Sequence, residues 1–326
     1  MILSFNSIIP ATYGCAKILE EGERLWLYRF TDEQTEAYRS YSSNFHNKTK
    51  ATAGVRLQFI TNSKKLILKG ETSTASSRKF FSFDVYVNGS LVSHLIECAD
   101  ETPKPYTLTA ELGEGEAKRV CIYFPWSAQA NIASFELDDG ASFEPYSKPY
   151  KMLCFGDSIT HGYCALNPSF TYATRLADLL CADYINKGIG GEVFFPKLAE
   201  LKDDIEPDYI TVAYGTNDWH VSKKETFEMN SVRFYEALSR NYPNARIFAL
   251  APVWRADHAT STKPIGEFSN VAKKLSEIAE CIPNVTFVDC FDFIPHEAQY
   301  YIEDLLHPND LGFCHYAAEV YRAIKQ

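Results

Sequence analysis

No stretch of this sequence approaches the roughly 18 continuous apolar residues that a helix needs to cross a bilayer. A membrane-spanning class is therefore not expected. The opening Met1-Ile2-Leu3-Ser4-Phe5-Asn6 has neither the positively charged start nor the longer apolar core of a secretory signal. For the chain as it stands, the expectation is a soluble, cytoplasmic protein. Positive charge is in deficit: 32 lysines and arginines against 42 acidic residues leave a formal net charge of −10. The basic residues do not cluster either, Lys64-Lys65 being too short to form a stripe. Binding to a nucleic-acid backbone draws on counterion release by grouped cations, so no nucleic-acid partner is expected. The nine cysteines are scattered without one Cys-x-x-Cys pair, which argues against a disulfide framework and against a zinc site. No metal or organic cofactor is expected. Internal repeats and low-complexity segments are also lacking, and a 46% hydrophobic, 23% charged composition excludes a disordered or fibrous chain. The length, 326 residues, leaves room for two domains.

What is present divides the chain in two. Up to about residue 140 the signals are those of strands. Val55, Leu57 and Phe59 alternate with Arg56 and Gln58, and Phe81, Phe83, Val85 and Val87 alternate with Ser82, Asp84 and Tyr86. The second run stops at Asn88-Gly89, a pair suited to a tight hairpin because both residues tolerate positive φ. Val120, Ile122 and Phe124 repeat the alternation, and no helical period stands out, so residues 1–142 are expected to form a β-sandwich domain. Residues 143–150, with Pro145 and Pro149 and no periodicity, read as a linker. From 151 to 326 the pattern changes to α/β. Apolar runs at 152–155, 209–214, 246–251 and 285–289, with a shorter one near Tyr184-Ile185, predict strands. Helical stretches at 170–182, 225–240, 266–280 and 311–324 lie between and after them. Strands alternating with helices imply a parallel sheet covered on both faces.

The first of these strands ends at Gly156-Asp157-Ser158. Ligands bind outside the carboxyl ends of strands in such sheets, so Ser158 would stand where chemistry happens. Gly, Asp and Ser are also ordinary turn residues, and only the company of a base, an orienting acid and oxyanion donors distinguishes the two readings. Asp304-Leu305-Leu306-His307-Pro308 offers the first two. The spacing lets Asp304 fold back toward Nδ1 of His307 and leaves Nε2 to face the serine. Pro308 keeps His307 extended, on a loop ahead of the last helix. Donors for an oxyanion can come from two glycine-bearing turns after strands: Asn186-Lys187-Gly188-Ile189-Gly190-Gly191, and Tyr214-Gly215-Thr216-Asn217-Asp218 with the Asn217 amide.

Taken together, and in this order along residues 150–326, these four blocks resemble the SGNH, or GDSL-type, hydrolases. The resemblance implies a three-layer parallel-sheet catalytic domain. It makes Ser158 the nucleophile, His307 the general base and Asp304 its orienting acid. The oxyanion hole would be the Ser158 N–H, the Gly191 N–H and the Asn217 side chain, with Gly190 one residue away as the alternative to Gly191. A β-rich domain ahead of such a domain is similar to the architecture of the two-domain carbohydrate acetyl esterases, the second carbohydrate-esterase family, whose sandwich is jelly-roll-like. The stretches Gly54-Val55-Arg56-Leu57-Gln58-Phe59 and Phe83-Asp84-Val85-Tyr86-Val87-Asn88-Gly89 carry that likeness. Some members of that group work with a Ser/His dyad; Asp304 favours a triad here.

The resemblance implies a serine esterase acting on O-acetyl esters of carbohydrates such as xylo-oligosaccharides. A lysophospholipase- or thioesterase-type acyl hydrolase and an inactive carbohydrate-binding protein are the alternatives. Trp219 and Trp254 are candidates for substrate binding, each able to offer a platform to a sugar ring. His161 is expected in a structural role behind the nucleophile, Trp126 in the core, and Asp257 and His258 lack the partners of a metal site. The partner expected is a small-molecule or oligosaccharide ester; the oligomeric state stays open.

Overall fold

The computed structural model describes residues 1–114, 116–260 and 262–325. Two antiparallel six-stranded sheets occupy the chain up to Pro145. Their inner faces meet in one core, to which Leu57, Phe59, Phe81, Phe83, Val85, Val120 and Ile122 come from one sheet and Leu25, Leu27, Leu66, Leu68, Leu108 and Phe135 from the other. The period of two seen in the sequence points these side chains inward. The hairpin between Phe80–Val87 and Ser90–Cys98 turns at Asn88 and Gly89, with φ of +50° and +84°.

The alternate residues of the first sheet are not solvated. Arg56, Gln58, Ser82 and Asp84 are all buried, because this outer face is covered by the second half of the chain. Arg56 Nη2 and Gln58 Nε2 both reach Asp183 Oδ1 at 2.8 Å. Asp84 accepts from the N–H of Ser169 at 3.0 Å, from its hydroxyl at 2.6 Å and from Asn167 Nδ2 at 2.9 Å.

Two helices, Asp32–Tyr41 and Ser43–Thr49, interrupt the β region where no helix is expected from the sequence. Thr31 and Gln34 cap the first reciprocally, and the Ser42 hydroxyl caps the second. Within 143–150, Glu144–Pro145 pairs with Phe59 and Ile60, and the Lys148 N–H donates to Asp183.

The remainder is a three-layer α/β unit. A parallel sheet runs in the spatial order Ala182–Asn186, Tyr150–Gly156, Tyr209–Ala213, Arg246–Leu250, Val285–Val288. Helices Lys224–Asn241 and Ser269–Cys281 bury Phe234, Leu238, Val271 and Leu275 on one face. Helices Tyr172–Leu179 and Asp310–Lys325 bury Tyr172, Leu176, Phe313 and Tyr316 on the other. The chain leaves its first strand toward one edge and returns to build toward the other. The strand order therefore reverses between Tyr150–Gly156 and Tyr209–Ala213, and a crevice opens at the carboxyl ends of that pair.

Candidate active site

Ser158 stands at the mouth of that crevice, first residue of the short helix Ser158–His161. The strand must turn sharply into this helix, and Gly156 permits it: a Cβ there would lie 2.1 Å from Thr160 Oγ1 and 2.8 Å from the Ala213 carbonyl oxygen. Asp157 caps the helix by accepting the Ile159 N–H at 3.0 Å. Burial pushes the Asp157 carboxyl up to about 6, against the opposing pull of that N–H and of the His307 and Arg255 charges.

His307 comes from the far end of the chain. Its Nε2 lies 2.8 Å from Ser158 Oγ, and its Nδ1 lies 2.6 Å from Asp304 Oδ2. The turn between acid and base is tight, with Leu305 at φ +51°. Asp304 Oδ1 is held by the N–H groups of Leu306 and His307, each at 2.9 Å. Burial works to raise the Asp304 pKa, but the His307 ring and these two N–H groups outweigh it and hold the carboxyl well below the usual range. The structure thus brings together Ser158, His307 and Asp304. The His307 ring lies roughly parallel to that of Tyr163, centroids 6.1 Å apart.

The two glycine-bearing turns flank this line. In the first, Gly188 packs so closely that a Cβ would sit 2.4 Å from the His161 nitrogen. Gly190 and Gly191 separate clearly: the Gly190 N–H donates to His161 Nδ1 at 3.2 Å, whereas the Gly191 N–H has no acceptor among the described residues. His161 Nε2 donates to the Trp126 carbonyl at 2.9 Å, so the ring carries its proton there and Nδ1 accepts. Burial together with the nearby Arg29 charge keeps this imidazole neutral, its pKa far below the ordinary value. In the second turn, Gly215 at φ +119° leads into the helix Thr216–Val221. Asn217 Nδ2 donates to the Glu192 carbonyl at 3.0 Å, which ties the two turns together and leaves one amide hydrogen free.

Trp219 corrects an expectation. It is not a platform in the crevice but fully buried, at 0% exposure. Its Nε1 donates to the Gly266 carbonyl at 2.8 Å, its ring meets Phe268 edge-on, and the Arg255 guanidinium lies 5.0 Å from the ring centre. Two residues along a helix turn by about 200°, so a helix that aims Asn217 at the crevice aims Trp219 into the core. Trp254 is partly exposed, stacked at 5.0 Å on His296 and 5.2 Å from Tyr301. Its neighbour Ala256 donates its N–H to the Leu305 carbonyl in the His307 loop. Asp257 is ion-paired with Arg255, and His258 Nδ1 contacts the Arg255 carbonyl.

Several residues of the site were not singled out from the sequence. Arg255 Nη1 donates to the Thr216 carbonyl and hydroxyl and so holds the Asn217 turn. Arg29 Nη1 donates to the Asn186 and Gly188 carbonyls at 2.6 and 3.1 Å, and Lys48 Nζ to the Gly190 carbonyl at 2.6 Å. A lone charge inside the apolar run Leu25-Trp26-Leu27-Tyr28-Arg29-Phe30 was the one local signal for Arg29; Lys48 had none. Glu192 is buried, accepts from the Tyr214 hydroxyl at 2.7 Å, and is pushed by burial up to about 8. Asp218 beside it is likewise pushed up to about 7.

Residues 154–313 match the GDSL-like Lipase/Acylhydrolase family. No curated protein matches the chain. Among solved structures it is similar to a salicylyl-acyltransferase, SsfX3, from a tetracycline biosynthetic pathway, at 20% identity over 96% of this chain and 93% of that one, with a TM-score of 0.85. It is also similar to a family two carbohydrate esterase from Cellvibrio japonicus, at 16% identity over 98% and 96% of the chains and a TM-score of 0.68. An acetyl xylan esterase, Est2A, from the rumen bacterium Butyrivibrio proteoclasticus matches at 18% identity over 83% and 89%, TM-score 0.59. At such identities the likeness is one of fold, and it extends across both halves of the chain.

Proposed function

From the match of residues 154–313 to the GDSL-like lipase/acylhydrolase family, we propose that the protein is a serine esterase removing O-acetyl groups from carbohydrates, xylo-oligosaccharides or similar, through an acyl-enzyme. The observation that carries the reading is the unbroken line from Ser158 Oγ to His307 Nε2 at 2.8 Å and from His307 Nδ1 to Asp304 Oδ2 at 2.6 Å.

As Ser158 Oγ attacks the ester carbonyl carbon, His307 Nε2 takes its proton, and the ionised Asp304 holds the imidazolium in register. Charge develops on the carbonyl oxygen. The N–H groups of Ser158 and Gly191 and the remaining Asn217 amide hydrogen receive it. Collapse expels the sugar alkoxide, which takes the proton from His307 and leaves acetyl on Ser158. A water then enters, gives its proton to His307 and attacks the acyl carbon; acetate departs and Ser158 recovers its proton. No step calls on a metal or organic cofactor.

The acyl group is inferred to be small because Ser158 is only 6% exposed and sits among buried side chains. A cleft of about 520 Å³ lined by Pro252, His258, Phe268 and Phe291 lies along the same edge of the sheet, and neither Ser158 nor His307 lines it. The carbohydrate assignment is supported by the two-domain likeness to the carbohydrate esterases. Acetate release from acetylated xylo-oligosaccharides, with nitrophenyl esters from acetyl to octanoyl, tests both parts. Activity should be highest on acetyl esters and vanish in Ser158→Ala. A preference for long acyl chains would favour the lysophospholipase or thioesterase alternative, and activity surviving in Ser158→Ala would end the serine mechanism.

A further inference from the structure

We propose that Lys48, carried by the amino-terminal domain, is a positioning residue for the oxyanion hole that acts by holding and polarising the Gly190–Gly191 peptide. The inference rests on the serine-esterase reading above.

The carbonyl of Gly190 and the N–H of Gly191 are the two ends of one planar trans peptide unit and point in opposite directions. Lys48 Nζ donates to that carbonyl at 2.6 Å. The N–H at the other end is the one left without an acceptor among the described residues. A cation bound to a carbonyl draws electron density through the amide and makes the opposite N–H a stronger donor, as in any hydrogen-bonded chain. The preceding peptide unit, Ile189–Gly190, is also held through the amino-terminal domain. The Gly190 N–H is taken by His161 Nδ1, and His161 in turn is anchored on the Trp126 carbonyl of the amino-terminal domain. Arg29 completes the grip, donating to Asn186 and Gly188 on one side and to the carbonyls of Ala51 and Lys48 on the other.

The setting of Lys48 is costly unless its charge is used. The residue is 8% exposed, and the hydrogen bond that its Nζ makes among the described residues goes to a carbonyl, not to a carboxylate. Glu192, the acid whose charge would favour the ammonium, is itself pushed up by burial to about 8 and is therefore largely protonated at neutral pH. The ammonium has one carbonyl and the face of the Phe45 ring, 5.5 Å from its centre, in place of water; these neutral partners restore only part of the lost solvation, and burial accordingly lowers the Lys48 pKa from its ordinary value. A methionine or leucine would fill the space without that cost, so packing alone does not account for a lysine.

The test compares wild type with Lys48→Met, Lys48→Gln and Lys48→Arg on nitrophenyl acetate, with thermal melting and Ser158 labelling by an organophosphonate as controls. Removing a whole oxyanion donor costs about 10²–10³ in kcat; weakening one should cost about tenfold or more in Lys48→Met, with KM changed by less than about threefold. Lys48→Gln keeps a donor without the charge and should stay near Lys48→Met. Lys48→Arg should recover most of kcat. A folded Lys48→Met with wild-type kcat, or a loss confined to KM, overturns the proposal. Should Lys48→Met not fold, Lys48→Gln and Lys48→Arg decide it: equal kcat values in those two overturn it. An active, Ser158-labelled wild type alongside an unaffected variant refutes this inference alone. A wild type that neither hydrolyses the ester nor takes the label refutes the serine-esterase reading and this inference with it.

Discussion

Replacing Asp304 by asparagine should be more damaging than replacing it by alanine. In the wild type, Asp304 Oδ1 accepts two backbone N–H groups at 2.9 Å and Oδ2 faces His307 Nδ1 at 2.6 Å. An asparagine has one oxygen for three donors. Kept on the two backbone N–H groups, that oxygen leaves the NH₂ facing Nδ1, and the imidazole answers by moving its proton to Nε2. Such a tautomer donates to Ser158 and cannot take its proton. The flipped amide would restore the tautomer but make one hydrogen bond where the disabled form makes three; at about 1 kcal/mol each, the disabled form wins by about 2 kcal/mol, roughly thirtyfold in population. Adding the lost charge on the imidazolium, kcat for nitrophenyl acetate should fall by about 10³–10⁴, or about 4–5.5 kcal/mol of barrier. In Asp304→Ala no donor opposes Nδ1, and because the Asp304 side chain is 38% exposed, water can take its place; the loss should be the smaller. Steady-state kinetics on both variants, with melting temperatures to show that the fold survives, measure this. An Asp304→Asn enzyme within about tenfold of wild type would mean that Ser158 and His307 work as a dyad and that the argument from the hydrogen bonds is wrong.

Glu192→Gln should flatten the fall in stability between about pH 4.5 and about 8. A carboxyl raised from its ordinary 4.5 to about 8 binds its proton more tightly folded than unfolded. Its contribution is full below the unfolded value and is lost as pH rises through about 8, at up to about 1.4 kcal/mol per pH unit; melting curves of the two proteins that stay parallel from pH 5 to about 9 would contradict this. Gly156→Ala should destabilise by about 2 kcal/mol or more in urea unfolding, since its Cβ would meet Thr160 Oγ1 and a strand carbonyl; a neutral substitution would mean that the turn relaxes freely. Arg56→Met should cost about 3 kcal/mol by leaving the Asp183 carboxylate with the neutral donors Gln58 Nε2 and the Lys148 N–H but without its cation, and adding Asp183→Leu should recover part of it. Strictly additive effects in that double-mutant cycle would show that the pair does not couple the domains.

The α/β half was legible because its signals are local and mutually consistent. Five apolar runs became the five parallel strands, and the four expected helices lie within a few residues of the observed ones. The line from Ser158 to His307 and Asp304 was legible for a different reason: each block falls at a strand end or in the last loop, so the topology alone brings them together. Trp219 was misread because its proximity in sequence to Asn217 was taken as proximity to the crevice, whereas helical rotation separates the two. The helices at Asp32–Tyr41 and Ser43–Thr49 were missed although Thr31-Asp32-Glu33-Gln34 spells a capping box. Their apolar face is short: Tyr38 and Phe45 pack on the core, while Gln34 meets Asp203 and Lys187, and Lys48 meets the Gly190 carbonyl.

Those polar contacts explain why part of the site could not be read from periodicity. A strand alternating apolar with polar residues ordinarily reads as one buried and one wet face. Here Arg56, Gln58 and Asp84 lie on the second face and are buried with their partners across the domain boundary. Arg29, just after the strand Arg24–Tyr28, and Lys48, in the helix Ser43–Thr49, follow the same rule, the cations meeting main-chain carbonyls instead of solvent. Main-chain acceptors carry no residue identity, so no pattern in 186–191 announces that two cations from residues 29–48 must meet it. A chain cut free before Tyr150 would keep Ser158, His307 and Asp304, yet expose the Asn186, Gly188 and Gly190 carbonyls and leave His161 without its Trp126 anchor. Ser158, His307 and Asp304 are thus local to the parallel-sheet half, while the shape of the glycine turn is a property of both halves of the chain.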